Sequence, residues 1–120
     1  LTNHYFFDIY ILMRKIVYSF YLSSLNEDRL RVEFGKEKDE ILRFCVQYET
    51  CIRGKWYPVV RYDTSHGFAH KDLLHPDGSS EKQPLPFLNY NLALTYATQD
   101  LKQNWRRYHH IFEEEINDAR

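Results

Sequence analysis

Apolar and polar side chains alternate strictly along residues 41–52, and this pattern leaves few folds open to the chain. One set of positions is apolar and the other mostly polar: Leu42, Phe44, Val46 and Tyr48 against Arg43, Cys45, Gln47 and Glu49. A period of two is typical of a β-strand with one buried face. Residues 29–34 alternate in the same way, and residues 15–23 are rich in β-branched and aromatic types. Further on, residues 71–75 and 80–85 have the length and turn-forming boundaries of short strands.

The spacing of apolar residues changes from Asn91 onwards. Apolar side chains now recur every three or four residues, at Leu94, Ala97, Leu101, Trp105, Tyr108 and Phe112. This spacing predicts one long amphipathic helix, with Asn91 as its N-cap. The predicted fold is therefore α+β: a curled antiparallel meander of about five strands, with the C-terminal helix packed on one face.

The hairpin at Arg53-Gly54 can be given a register from its buried face. A two-residue loop would pair Val46 with Arg61 and so place an arginine on the apolar face. A three-residue loop pairs Val46 with Val60 instead, which keeps apolar residues together. We therefore predict the three-residue loop, with Arg43 opposite Asp63.

Size and composition indicate one folded domain. The chain has 120 residues, 43% of them hydrophobic and 17% aromatic, which is enough to bury a core. The formal net charge of -1 gives no general attraction to nucleic acid or membranes, so any nucleic-acid binding must depend on a local patch.

Cys45 and Cys51 lie in one predicted strand, about 20 Å apart and beyond disulfide reach, which is typical of free thiols in a reducing cytoplasm.

The first residues, LTNHYFFDIYIL, are hydrophobic but do not predict a membrane span. Asp8 interrupts them, and Arg14 and Lys15 end the apolar run well short of about 18 residues. We interpret residues 1–12 as an N-terminal extension and residues 13–120 as the single α+β domain. A docked extra helix or strand over residues 1–12 is the alternative.

The stretch RYDTSHGFAHKDLLHPDG, residues 61–78, is the predicted site, because it holds three of the six histidines and three aspartates. If the helix covers the apolar face, the opposite face carries polar side chains that lead into a loop bearing His66 and His70. Those side chains are Arg31, Arg43, Gln47, Glu49, Arg61 and Asp63.

Two kinds of chemistry fit these residue types. Metal-free cleavage of RNA needs a base, an acid and cations for the phosphate; histidine suits the first two roles and arginine the third. A metal site is the other option, since His66, His70 and Asp72 are ligand types for zinc, iron or manganese. Structural roles compete with both, because Asp63 and Thr64 are common turn-capping residues and His75-Pro76-Asp77-Gly78 has the composition of a tight turn.

The run VQYETCIRGKWYPVVRYDTSHGFAHKDLLHPDG, followed by ALTYATQDLKQNWRRY, resembles a family of small bacterial and archaeal proteins without an assigned function. Its pattern is RYD, then HGF, then His-Lys/Arg-Asp and a Pro-Gly turn. The segment is also similar, more distantly, to TumE-type toxins of toxin–antitoxin pairs: Tyr62, Asp63, His66, Phe68, His70 and Lys71 correspond in kind. The doubled histidine of those toxins is missing, and Asp72 stands where their last histidine falls.

The sequence thus predicts a cytoplasmic, toxin-like endoribonuclease that needs no cofactor. His66 and His70 would be acid and base, with Asp63 orienting them, while Arg61, Lys71, Tyr62 and Arg43 would bind RNA. Two alternatives stay open. The loop could instead recognise a partner such as an antitoxin or close a homodimer, or it could form a metal-dependent hydrolase site from His66, His70 and Asp72. A membrane partner is not expected.

Overall fold

The computed structural model describes residues 13–119, so the expectation for residues 1–12 lies outside the described part of the chain. Within that part, six strands form one antiparallel sheet in sequence order and one long helix follows. The strands are β1 (Arg14–Tyr21), β2 (Asp28–Glu37), β3 (Glu40–Ile52), β4 (Lys55–Asp63), β5 (His70–Leu74) and β6 (Ser80–Pro84), and the helix is α1 (Tyr90–Asp118). The predicted α+β class and meander are confirmed, with one strand more than expected.

The core lies between α1 and one face of the sheet. The sheet contributes alternate residues, as the period of two predicts, and α1 contributes one stripe: Leu30, Val32, Phe44, Val46, Tyr48, Val60 and Tyr62 meet Ala93, Ala97, Leu101, Trp105, Tyr108 and Phe112. Two alanines at the start of this stripe leave room for the helix backbone to approach the sheet. No stretch of α1, the long helix of residues 13–119, is apolar enough to cross a membrane.

The hairpin between β3 and β4 differs from the prediction. Ile52 pairs with Lys55, so the loop has two residues, and both Arg53 (φ 52°) and Gly54 (φ 79°) are left-handed, as a type I′ turn requires. The apolar faces are realigned by a bulge at Val59, after which Val46 pairs with Tyr62. Pro58, which has no N–H for the ladder, lies beside this bulge. The principle that the buried face decides the register therefore holds, but the three-residue loop was wrong.

The N-cap of the helix lies two residues before the predicted one. Asn89 is the N-cap, and its side chain accepts from the backbone N–H groups of Asn91 and Leu92. Asn91 instead ties α1 to the β2–β3 turn: its Oδ1 accepts from Ile41 N at 2.9 Å and its Nδ2 donates to Asp39 O at 2.7 Å.

Candidate functional site

Most of the predicted site residues lie on the sheet face away from α1, which we call the polar face. Gln47 and Arg61 are cross-strand partners there, and Arg61 Nε donates to Gln47 Oε1 at 2.7 Å. Arg43 lies on the same face but donates to Glu33 at 3.4 Å. Its predicted pairing with Asp63 is wrong, because the two-residue turn and the bulge together place Asp63 opposite Cys45. Burial raises the pKa of the Cys45 thiol to about 11, so this cysteine is a poor nucleophile.

The loop of residues 64–69 is shaped by the end of β4. Asp63 Oδ1 accepts from the backbone N–H of Ser65 at 3.3 Å and from its hydroxyl at 3.1 Å, which is the turn-capping role predicted for this residue type. Gly67 has φ 82°, a conformation that other residues adopt only with strain. Asp63 therefore stabilises the loop through hydrogen bonds to its Oδ1, while its side chain faces β5.

Asp63, His70 and Asp72 form a compact cluster on the polar face. Each offers a ligand atom, and these atoms lie within 4.8 Å of one another. Asp63 and His70 are cross-strand partners, and Asp72 follows His70 by two residues, so all three share one face. His70 was expected in the loop but is the first residue of β5, and its side chain is 0% exposed.

The two ring nitrogens of His70 have different surroundings. Nδ1 lies 3.3 Å from the carbonyl oxygen of Phe68, which assigns its N–H to that bond. Nε2 lies 2.6 Å from Asp63 Oδ1 and 3.7 Å from Asp72 Oδ2, yet it makes no hydrogen bond with any described residue, because neither oxygen lies along an N–H direction. Nε2 thus lies buried and close to two carboxylates without a hydrogen bond to either.

Lys82 supplies part of the positive charge that would neutralise the two carboxylates of this cluster. Its Nζ lies 3.2 Å from Asp72 Oδ1, although the two atoms are not aligned for a hydrogen bond. One ammonium cannot neutralise two carboxylates, so Lys82 leaves negative charge beside the His70 ring. The cluster is therefore electrostatically suited to a further cation.

His66 and Phe68 flank this cluster from the loop. The ring centroid of His66 lies 5.4 Å from that of His70, and the Phe68 ring lies 5.5 Å from it. Both residues are exposed to solvent, whereas His70 beneath them is not. The alternative metal set of His66, His70 and Asp72 is not the one the fold assembles, since Asp63 takes the place given to His66.

Basic side chains on the polar face lie outside acidic ones. The Glu49 side chain is 7% exposed and is contacted by Arg29 at 2.6 Å and by Arg31 at 3.4 Å, while that of Arg31 is 61% exposed. The same layering holds for Lys82 above Asp72. Gln47 links the two parts of this network, because it also donates to Glu49. Around Glu49 and Asp72, the outermost charges of the polar face are therefore positive.

Lys71 and Tyr62, both predicted to bind substrate, lie on the opposite face, under α1. Asp100 gathers this group: it accepts from the hydroxyls of Tyr62 and Tyr108, each at 2.7 Å, and Lys71 Nζ donates to the Tyr108 hydroxyl at 2.6 Å. Burial alone would raise the pKa of Asp100, but hydrogen bonds from Tyr108, Tyr62 and Asn104 hold it below its usual value. Burial lowers the pKa of Lys71. The predicted substrate-binding set is thus divided between two faces, since neighbours in a strand point in opposite directions.

His75 does more than form the predicted turn. The turn itself is present, with Gly78 N donating to His75 O at 3.0 Å. In addition, the His75 ring contacts Glu115 of α1 through Nδ1 and Glu81 of β6 through Nε2, both at 2.8 Å. Hydrogen bonds donated by the His75 ring to the Glu115 and Glu81 carboxylates raise the pKa of His75.

Sequence reasoning missed three residues that the fold brings to these sites. Lys82 reaches Asp72 only through the register of β5 and β6. Asp100 was not singled out from the sequence, and Tyr108 was predicted only as part of the apolar stripe of the helix. A signal was present in the sequence. Asp100 is a charged residue beside the apolar stripe of the helix, and it lies eight residues, just over two turns, before Tyr108.

The fold and the site define a class: a small α+β protein with an antiparallel sheet and a buried carboxylate–histidine cluster on the face opposite the helix, within residues 13–119. The chain belongs to the family described as Domain of unknown function (DUF7718), whose model matches residues 13–118. No curated protein and no solved structure shows significant similarity to it.

Proposed function

We propose that this protein is a cation-dependent phosphodiesterase that acts on RNA, with Asp63, His70 and Asp72 as the ligands of a divalent metal ion. The observation that carries this proposal is the buried Nε2 atom of His70, which faces two carboxylates without a hydrogen bond.

A divalent cation accounts for this arrangement better than a proton. A second N–H on the ring would lie in the ring plane, where neither carboxylate oxygen is aligned to accept it. A metal ligand, by contrast, commonly donates its other ring N–H to a backbone carbonyl, as His70 does to Phe68. One nitrogen and two carboxylate oxygens suit Mn²⁺, Fe²⁺ or Zn²⁺, and three protein ligands leave positions open for water and substrate.

The polar face supplies the substrate preference. Around Glu49 and Asp72 its outermost charges are basic side chains above buried carboxylates, so this part of the face attracts a polyanion although the whole chain carries a net charge of -1. Phe68 and Tyr21 are 45% and 53% exposed, which leaves rings free to stack on unpaired bases. The similarity to TumE-type toxins points to the same loop and to RNA.

The proposed reaction is hydrolysis of one phosphodiester bond. A bound cation would lower the pKa of a water molecule and polarise a phosphoryl oxygen. A water acidified in this way would release one proton to solvent and bond through its oxygen to phosphorus. The bond from phosphorus to the leaving ribose oxygen would break, and that oxygen would take up a proton. His66, exposed beside the cluster, is the group that would deliver this proton, whereas His70 is too deeply buried to touch a substrate.

The test is incubation of single-stranded RNA with the full chain in EDTA and after addition of Mn²⁺, Zn²⁺ or Mg²⁺. We expect cleavage to stop in EDTA, to return with one of the cations and to be lost in Asp63→Asn and Asp72→Asn. Asp77→Asn, in an exposed turn of the same stretch, is the matched control and stays active. Cleavage that survives EDTA but is lost in His66→Ala would replace this proposal by metal-free acid–base chemistry. Folded protein that leaves RNA intact under all conditions would overturn it in favour of a binding module.

A further inference from the structure

A cavity lies on the helix side of the sheet, opposite the polar face. It is a cleft of about 340 Å³ between α1 and strands β4 and β5. Its walls are apolar: Val59, Val60 and Leu73 from the sheet face Ile111 and Phe112 from the helix. Ile111 is 50% exposed at its rim. Small-molecule sites commonly have this form, a mainly apolar cleft with a few polar groups at defined points.

One end of the cleft is cationic. The Lys71 side chain is 15% exposed, and its ammonium donates to the Tyr108 hydroxyl but lies 3.8 Å from the Asp100 carboxylate. An ammonium has three donors, so two are not used by hydrogen bonds to described residues. The guanidinium of Arg107 lies 5.3 Å from the centre of the Tyr108 ring and makes no ion pair within residues 13–119. Two cations thus flank the ring of Tyr108.

The other end of the cleft is anionic. His75 lies there between Glu81 and Glu115, and one imidazolium cannot neutralise both carboxylates. A ligand with a negative group at each end would therefore be repelled at this end. The cleft is complementary to a molecule with one anionic head and an apolar body.

We propose that this cleft binds a small organic monoanion, an apolar carboxylate whose head group contacts Lys71 and Arg107 and whose body lies between Leu73 and Phe112. The site is independent of the proposed RNA chemistry, because Lys71 points to the helix side of β5 while His70 and Asp72 point to the polar face.

The experiment is a ligand-observed NMR titration of the full chain with phenylacetate, and with phenylacetamide as its neutral counterpart. We expect saturable binding of phenylacetate and at least about tenfold weaker binding of the amide, since a hydrogen bond to a charged group contributes about this factor. Arg107→Gln is expected to weaken phenylacetate binding by about the same factor.

Arg106→Gln is the matched control, because Arg106 is the neighbouring exposed arginine but lies over Trp105, away from the cleft. It is expected to leave binding unchanged. The proposal is overturned if the acid and the amide bind equally, if both arginine variants weaken binding alike, or if no saturable binding occurs. Lys71→Gln provides a second cation variant, with its fold checked by circular dichroism.

Discussion

His70 is the residue on which the proposed chemistry depends, and its surroundings explain why the sequence pattern alone was ambiguous. The motif HGFAHKD contains two histidines that look equivalent on paper. In the fold, one lies in the loop and is exposed, while the other begins β5 and is fully buried between two carboxylates. Burial removes His70 from direct contact with substrate and makes its lone pair costly unless a positive charge compensates it.

This leads to a prediction at the scale of single residues. A cation that binds only the folded state stabilises it by about 2.7 kcal/mol at a concentration one hundred times its Kd, which corresponds to a Tm rise of roughly 10 °C for a domain of this size. We expect Mn²⁺ or Zn²⁺ to raise the Tm of the wild-type chain by this order, measured by differential scanning calorimetry. Asp63→Asn should abolish the rise and Asp77→Asn should preserve it. An equal rise in both variants would show that the cation binds elsewhere.

The β3–β4 hairpin shows how elements place these residues. The two-residue turn alone would put Arg61 on the buried face, and the bulge at Val59 restores the alternation. Asp63 thereby comes opposite Cys45 and beside His70, where it joins the cluster. The two-residue turn and the extra residue in β4 therefore determine that Asp63 is the acidic residue paired with His70.

The turn residues give a prediction at the scale of the element. Arg53 and Gly54 are both left-handed, and a Cβ on Gly54 would meet no atom within 4 Å, so the cost of Gly54→Ala is purely conformational. We expect Gly54→Ala to lower the free energy of unfolding by about 1–2 kcal/mol and Arg53→Asn to raise it by a few tenths of a kcal/mol, measured by urea denaturation.

Arg53→Ala is the control for this pair. It removes the 3.3 Å hydrogen bond from Arg53 to Asn117 without the tolerance of asparagine for a left-handed backbone. If the asparagine and alanine variants are equally stable, strain at Arg53 is not the cause.

At the scale of the whole molecule, α1 needs anchors along its length. It has 29 residues and so spans about 44 Å, more than one cluster of contacts can hold. Asn91 ties its start to the β2–β3 turn, Asp100 ties its middle to β4 and β5, and Glu115 ties its last turns to His75. The last of these anchors depends on pH.

The pH dependence has a definite sign. Because Glu115 and Glu81 raise the pKa of His75 above its ordinary 6.5, the stabilisation is complete below that value and is lost as the pH rises through the folded-state pKa. We expect the Tm difference between wild type and His75→Gln to be largest near about pH 6 and to shrink towards about pH 9. His110→Gln is the matched control, because it removes an exposed helix histidine that pairs, among residues 13–119, with Glu114 and not with another element. It should show little such trend. A Tm difference that is constant over this range would contradict the anchor.

Much of this architecture follows from local patterns. The alternation along β2 and β3, the three- and four-residue spacing along α1 and the turn-forming residues between strands are properties of neighbouring residues, so the sequence by itself determined the α+β class, the apolar face and the location of the polar loop. It also identified most of the polar face, because residues two apart in a strand share a side.

Only the tertiary structure decided which of those polar residues meet. Because of the bulge at Val59 and the start of β5 at His70, Asp63 rather than His66 lies beside His70 and Asp72. The alternation of side chains along β5 places Lys71 on the helix side. These outcomes depend on register between strands and on the packing of α1, which are set by burial of the whole core rather than by any short segment. The sequence could therefore locate the candidate site, while the fold determined its ligands and revealed the cleft behind it.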